Sequence, residues 1–278
     1  MQKIILAVNA LDLNSRAIDF AAYIAGLTNS ALTGLFLEYT VHESAPALKT
    51  PFALPYVETI TAEGEESAAD KGKIAANKKL FENACIKRDV VFAVQDAKGD
   101  VNEVIIAESR YADVIVVSAD TGFGHSTTEG SPTAFVKHLL AHAECPVIIA
   151  PESFDEIDEI VFACDGGKSC MHAIKQFTYL FPKLANTRLT LLHIAREQGL
   201  LPADGKIKQW LAQHYTEVNE EIATGDPAEE MFGLLLLKKN KFIVLGSYGR
   251  SGFSQAFKPS TSALILKTLN LPLFIAHT

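Results

Sequence analysis

Residues 242–262 hold residue types that bind phosphate. A short apolar, β-branched run at 242–245 reads as a buried strand, and it empties into a loop with Gly246, Gly249 and Gly252. Pro259, Ser260 and Thr261 then open a helical pattern carried by Ala263, Leu264, Leu266 and Leu269. Glycines let backbone N–H groups approach an anion, and a helix N-terminus adds unsatisfied donors and a favourable dipole. A second phosphate-like stretch, Asp165-Gly-Gly-Lys-Ser169, fails as a Walker A loop because Phe162 stands where the first glycine is required. It reads instead as a tight turn into a helix capped by Ser169, with Lys168 near the site.

The remaining reactive side chains carry less. His138 and His142 stand four apart on a helix, a spacing that can share a metal, but no third ligand lies nearby in the sequence. His193, on an apolar strand, is expected to be partly buried with its hydrogen bonds made. No paired carboxylates, HExxH motif or nucleophile–base–orienter set stands out. The expectation is a protein without robust catalysis, slow ATP hydrolysis aside.

The elements that must position these residues repeat. Strands are predicted at 3–8, 32–37, 89–94, 113–117 and 146–150, with helices at 16–27, 65–85, 102–110 and 132–142. The order then restarts, with strands at 159–164, 188–194, 216–223, 242–245 and 272–276 and helices at 170–184, 207–214, 226–239 and 262–269. Glu144-Cys-Pro-Val-Ile-Ile-Ala150 mirrors Asn270-Leu-Pro-Leu-Phe-Ile-Ala276, Ala97-Lys-Gly-Asp100 mirrors Ala223-Thr-Gly-Asp226, and Asn9 mirrors Asp165. The first copy is longer by about thirty residues, placed at 39–85, where 39–63 reads as a Pro-rich surface loop. Two domains are expected, 1–151 and 157–278, joined by the acidic stretch 152–158. Strands alternating with helices predict an α/β fold of two tandem doubly wound domains, each a five-stranded parallel sheet flanked by helices. Ligands of such sheets sit beyond the C-terminal strand ends at a topological switch point, which would bring Asp165 and Gly246 together.

Composition narrows the partners. The chain has 278 residues, 48% hydrophobic and 21% charged, with a formal net charge of −8. That balance is globular, and its sign argues against nucleic-acid partners and anionic membrane surfaces. No apolar run approaches the roughly 18 residues of a membrane span, and residues 1–8 read as a strand rather than a signal peptide. The four cysteines, Cys85, Cys145, Cys164 and Cys170, have no CxxC or framework spacing, so they are expected as small reduced apolar residues of a cytoplasmic protein.

Both halves resemble the universal stress protein family, and the whole chain resembles a tandem member of it. The family pattern is a first strand ending in Asp, a fourth strand running into Gly-x-x-Gly, then nine residues and Gly-Ser/Thr, with a Cys-Pro-Val last strand. The resemblance implies a Rossmann-like fold of the adenine nucleotide alpha hydrolase-like type. It also implies that the last strands pair across a pseudo-two-fold axis, making an intramolecular pseudo-dimer and leaving a further homodimer open. For the second copy it implies ATP, with magnesium, or a related adenine nucleotide. There Asp165 would meet the ribose or adenine region, Ile194 and Leu245 would wall the base, Gly246 and Gly249 would close over the phosphates, and Ser260 and Thr261 would face them. Pro259 departs from the pattern at the third glycine and removes one N–H donor. The first copy departs further. Asn9 replaces the acid, Gly-x-x-Gly is missing, only Gly130 and Ser131 survive, and Asp120 and Glu129 add repulsive charge, which reads as a degenerate site. Two other readings stand beside this one: an interaction scaffold for stress-response partners that binds no nucleotide, and an adenylating enzyme of the PP-loop type.

Overall fold

The computed structural model describes residues 3–39, 68–123, 130–164, 166–195, 205–225, 229, 230, 233, 240–246 and 270–276. The first half contains β1 (Lys3–Asn9), α1 (Ser15–Thr28), β2 (Ala31–Tyr39), α2 (Ala68–Lys87), β3 (Phe92–Gly99), α3 (Val101–Ser109), β4 (Val114–Ser118), α4 (Ala134–His142) and β5 (Val147–Ala150). The second contains β6 (Glu159–Cys164), α5 (Lys168–Leu180), β7 (Arg188–Ala195), α6 (Lys206–Leu211), β8 (Val218–Thr224), β9 (Lys241–Gly246) and β10 (Leu273–Ala276). The helices expected at 226–239 and 262–269 and the loop at 39–63 lie, except for residues 39, 229, 230 and 233, outside the described residues.

All ten strands form one sheet in the order β3-β2-β1-β4-β5-β10-β9-β6-β7-β8. Within each half the pairing is parallel. At the centre β5 and β10 run antiparallel, with Leu273 opposite Ile149 and Ile275 opposite Val147. The fold is thus α/β with parallel five-stranded units, as the alternating pattern requires, and the last strands of the two units pair, as the family resemblance implies.

Strand residues alternate between two covered faces. Ile4, Leu6 and Val8 enter one core layer with Phe20 of α1, Phe81 of α2 and Phe177 of α5. Ile5 and Ala7 enter the other with Ile105 of α3 and Leu139 of α4. Both layers cross the midline: Phe20 meets Phe242 of β9 edge-on at a centroid distance of 6.3 Å. From the stretch 152–158, Phe154 and Ile157 pack against the first layer, while the other residues are exposed. Phe154 lies 5.1 Å from Phe20 and 4.5 Å from Tyr23, and the Ser153 N–H donates to Asn270 Oδ1 at 2.9 Å.

Local chemistry sets the element ends. Asn14 caps α1 by accepting from the Arg16 and Ala17 N–H groups, and Asp100 caps α3 in the same way. The expected strand at 89–94 begins later, at Phe92, because α2 runs on to Lys87 and Asp89 turns the chain at φ +53°. Likewise α5 stops at Leu180 rather than 184. Pro182, which lacks an N–H, opens a 3-10 turn instead. Ser169 is not the cap expected of it. Gly167 occupies that position without a side-chain bond, and Gly166 makes the turn at φ +79°, which glycine permits.

At the opposite end of the second half, Glu159 is held between Lys241 Nζ at 2.7 Å and the Thr190 hydroxyl, which donates at 2.7 Å. Burial raises the Glu159 carboxyl, but the Lys241 and Thr190 bonds outweigh it and leave it below its ordinary 4.5. Lys241→Met strips the carboxylate of its cation and is expected to cost about 1–3 kcal/mol at neutral pH. Because the folded carboxyl titrates below the unfolded one, this stabilisation is complete above 4.5 and disappears as pH falls through the folded value. The gap in unfolding free energy between wild type and variant, followed by urea titration, should therefore close in acid. A gap that stays constant down to the acid limit contradicts the assignment.

Candidate functional site

In each half the strand order reverses beside the first strand. β1 lies between β2 and β4, and β6 lies between β7 and β9. The carboxyl ends of these neighbours define a crevice in each half. In the second half Ala163 pairs with Leu245, so Cys164 and Gly246 end adjacent strands, and Cys164 is in register with His193 of β7. Of the expected nucleotide residues, Ile194 is the next residue on β7, paired with Ala223 of β8. Leu245 is buried in the core layer that also contains Val161 and Ala163. Asp165, Gly249, Ser260 and Thr261, and with them Pro259, fall outside the described residues.

Gly246 has a packing reason to be glycine. A Cβ built on it would stand 2.5 Å from the Cys170 nitrogen, 2.5 Å from the Ser169 carbonyl carbon and 2.6 Å from its oxygen. The end of β9 therefore rests directly on the backbone of the first turn of α5. Any side chain there must push helix and strand apart.

At the corresponding strand ends of the first half the polar groups bond one another. Asn9 Nδ2 donates to the Gly122 carbonyl at 2.7 Å, while its Oδ1 accepts from the Leu11 N–H at 2.9 Å. Asn14 Nδ2 donates to Ser118 Oγ at 3.1 Å, and the Thr133 N–H donates to the Ala119 carbonyl at 3.2 Å. Thr133 Oγ1 also donates to the Thr121 carbonyl. Gly130 is exposed with open space around it, and Ser131 precedes a cis bond to Pro132. The polar groups at the strand ends of this half are thus engaged with one another.

The cysteines correct the sequence-based expectation. Cys85 and Cys145 are buried free thiols, as expected of small apolar residues, and burial pushes them up to about 11 and about 12. Cys164 and Cys170, in contrast, form a disulfide with a Cα–Cα distance of 5.3 Å. A spacing of six gives no framework signal. The bond becomes visible only once Cys164 is placed at the end of a strand and Cys170 in the first turn of the next helix. Beside them His193 is 5% exposed, and its Nε2 lies 3.5 Å from Glu220 Oε1. Its pKa is lowered, chiefly by burial, against the opposing pull of Glu220 and of the Cys164 main chain. Contrary to expectation its hydrogen bonding is incomplete, since Nδ1 has no partner of ordinary geometry. Glu220 is itself lowered first by its bond from Lys208, at 2.9 Å.

Other candidates lie apart from the strand ends. His138 and His142 stack at 4.3 Å, with His142 Nδ1 3.0 Å from the His138 carbonyl. Among the described residues no group of three or more His, Cys, Asp or Glu is arranged to hold a metal ion, and no helix is long and apolar enough to cross a membrane. A cavity of about 220 Å³ lined by Thr178, Phe181, His214 and Tyr215 lies at the C-terminal end of α5, away from its first turn.

No family model matches the sequence, and no curated protein does either. Solved structures do match the fold. A universal stress protein from Archaeoglobus fulgidus DSM 4304 superposes with a TM-score of 0.68 at 16% identity, over 99% of this chain and 98% of that one. A putative universal stress protein from Pseudomonas aeruginosa UCBPP-PA14 gives 0.58 at 17% identity, covering 100% and 93%. A functionally unknown protein from Pseudomonas aeruginosa PAO1 gives 0.56 at 17% identity, covering 100% and 92%. From its first strand to its last, the chain has the fold of these structures, a universal stress protein among them.

Proposed function

We propose that the chain is a tandem universal stress protein, built from a domain at 1–151 and a domain at 157–278 that act as an intramolecular pseudo-dimer. Its role is a cytoplasmic stress-response module that takes up ATP, with magnesium, or a related adenine nucleotide in the second domain, without robust catalysis. The observation that carries this reading is the adjacency of the β6 and β9 ends. Asp165 follows directly on Cys164, and Gly246 stands next to Cys164 at the head of the glycine loop. The likeness in fold over both whole chains supports the family, and the residue pattern supports the ligand. In the first half the equivalent of Asp165 is Asn9, already bonded to Gly122, which favours nucleotide uptake in the second half alone.

Calorimetry with magnesium and ATP should register one site per chain. Asp165→Ala should weaken it at least about tenfold, or roughly 1.4 kcal/mol. Ser260→Ala with Thr261→Ala is the matching probe on the phosphate side. Gly246→Ala is unsuited to this purpose, because its Cβ collides with the α5 backbone. It should lower stability by about 1–3 kcal/mol whether or not a ligand is present. No heat at millimolar ATP, with the protein folded, would sink the nucleotide reading. The loss of a donor at Pro259 and the engagement of Asn9 with Gly122 favour an interaction scaffold in that event. Pyrophosphate release in the presence of an acceptor would instead point to adenylation.

A further inference from the structure

The Cys164–Cys170 bond joins two parts of the second half whose relative position matters. Cys164 is the last residue of β6, and Cys170 is the third residue of α5. The ring they close contains the exposed Gly166 and Lys168, while Cys164 and Cys170 themselves are buried, 0% and 3% exposed. Across that turn the Gly166 N–H donates to Cys164 Sγ at 3.4 Å. Cys170 also lies in the first turn of a 13-residue helix. An N–H donor and a helix N-terminus both favour thiolate over thiol, which speeds attack by a cysteine and its departure from a disulfide.

The fold does not require this bond. The first half builds the corresponding strand and helix without sulfur, over a longer turn. There Ala7 pairs with Val117 as Ala163 pairs with Leu245, which puts Val8 in the place of Cys164. Ala17 is the third residue of α1 as Cys170 is of α5. Val8 and Ala17 are buried at 4% and 2%, so apolar packing and the hydrogen bonds of Asn9 and Asn14 hold that unit together without a covalent cross-link. Closing so short a ring also removes little chain entropy compared with a long loop. A cross-link that is chemically labile, structurally dispensable and present in one half only has the properties of a control element.

We propose that Cys164 and Cys170 form a reversible dithiol–disulfide pair, oxidised by hydrogen peroxide and reduced by dithiols, whose state sets the seating of the first turn of α5 against Gly246. In oxidation the Cys164 thiolate attacks one peroxide oxygen and breaks the O–O bond, giving a sulfenic acid and hydroxide. The Cys170 sulfur then attacks that sulfenic sulfur, forming the S–S bond and expelling the second oxygen. The Cys170 proton and the proton lost from Cys164 complete two waters, so two thiols and one peroxide give one disulfide and two waters. A reducing dithiol reverses the bond by exchange and is itself oxidised. The read-out is mechanical. With the bond made, the first turn of α5 is tied to β6. Its Ser169–Cys170 backbone is the surface on which Gly246 rests, so release of the bond alters the base of the glycine loop.

The test uses the full chain. Peroxide should lower the count of alkylatable thiols after denaturation from four to two and the intact mass by about 2 Da, with a 164–170 linked peptide. A dithiol should restore both values without unfolding the protein. Hydrogen exchange over residues 168–180 and 241–246 should differ by at least about threefold between the two states. In the variant Cys164→Val with Cys170→Ala, which copies the first half, exchange should not respond to peroxide. If the double variant does not fold, Cys170→Ser serves as the control. A bond that resists dithiols in the folded protein overturns the proposal, as does a bond that forms and breaks without any change in exchange at 241–246. On the nucleotide reading above, on which this consequence rests, ATP affinity should differ at least about fivefold between the states. Absence of ATP binding in both states would remove that reading and leave the exchange result to decide the redox pair.

Discussion

The antiparallel junction between β5 and β10 is the contact on which the rest of the molecule depends. Each half alone would end its sheet on a fully buried apolar strand with a row of unsatisfied main-chain groups. Pairing Val147, Ile148 and Ile149 with Ile275, Phe274 and Leu273 satisfies both rows and makes both core layers continuous across the midline. The connecting stretch 152–158 is anchored beside this junction by Phe154, which packs against Phe20 and Tyr23, and by the Ser153 bond to Asn270. The halves are thus joined by hydrogen bonds, shared aromatic packing and covalent connection together.

An antiparallel junction also turns the halves against each other. The strand ends of the first half and those of the second point to opposite margins of the sheet. The two switch points are further separated by the strands between β1 and β6, about 24 Å in sheet width. The crevices are free to differ, and they do. In one, Asn9, Asn14 and Thr133 bind the loops by neutral hydrogen bonds. In the other, a sulfur bridge and a glycine seated on a helix backbone stand at the corresponding strand ends.

Most of the fold was legible because its signals are local and repeated. β-branched runs such as residues 114–118 and 147–150 announce strands buried on both faces. The errors arose where one residue's geometry overruled the pattern: the turn at Asp89, the proline at 182, and Gly167 taking the cap from Ser169. At the candidate site, the meeting of the β6 and β9 ends follows from strand order alone. The constraint on Gly246 could not be read the same way, because it comes from a helix 76 positions away in the chain. Nor could the link between Cys164 and Cys170, since spacing says nothing about sulfur geometry until strand and helix are placed.

The midline junction also bears on how the chain is made. β5 leaves the ribosome well before its partner β10, more than a hundred residues later in the sequence. Through that interval the first half has its own parallel sheet complete but carries one naked, uncharged Val-Ile-Ile-Ala margin, a template for any other strand in reach. Two nascent first halves could satisfy each other by the same antiparallel geometry, giving a swapped dimer in place of the intended chain. Having β10 on the same polypeptide keeps the proper partner at high effective concentration once it is made, and so favours self-completion over association.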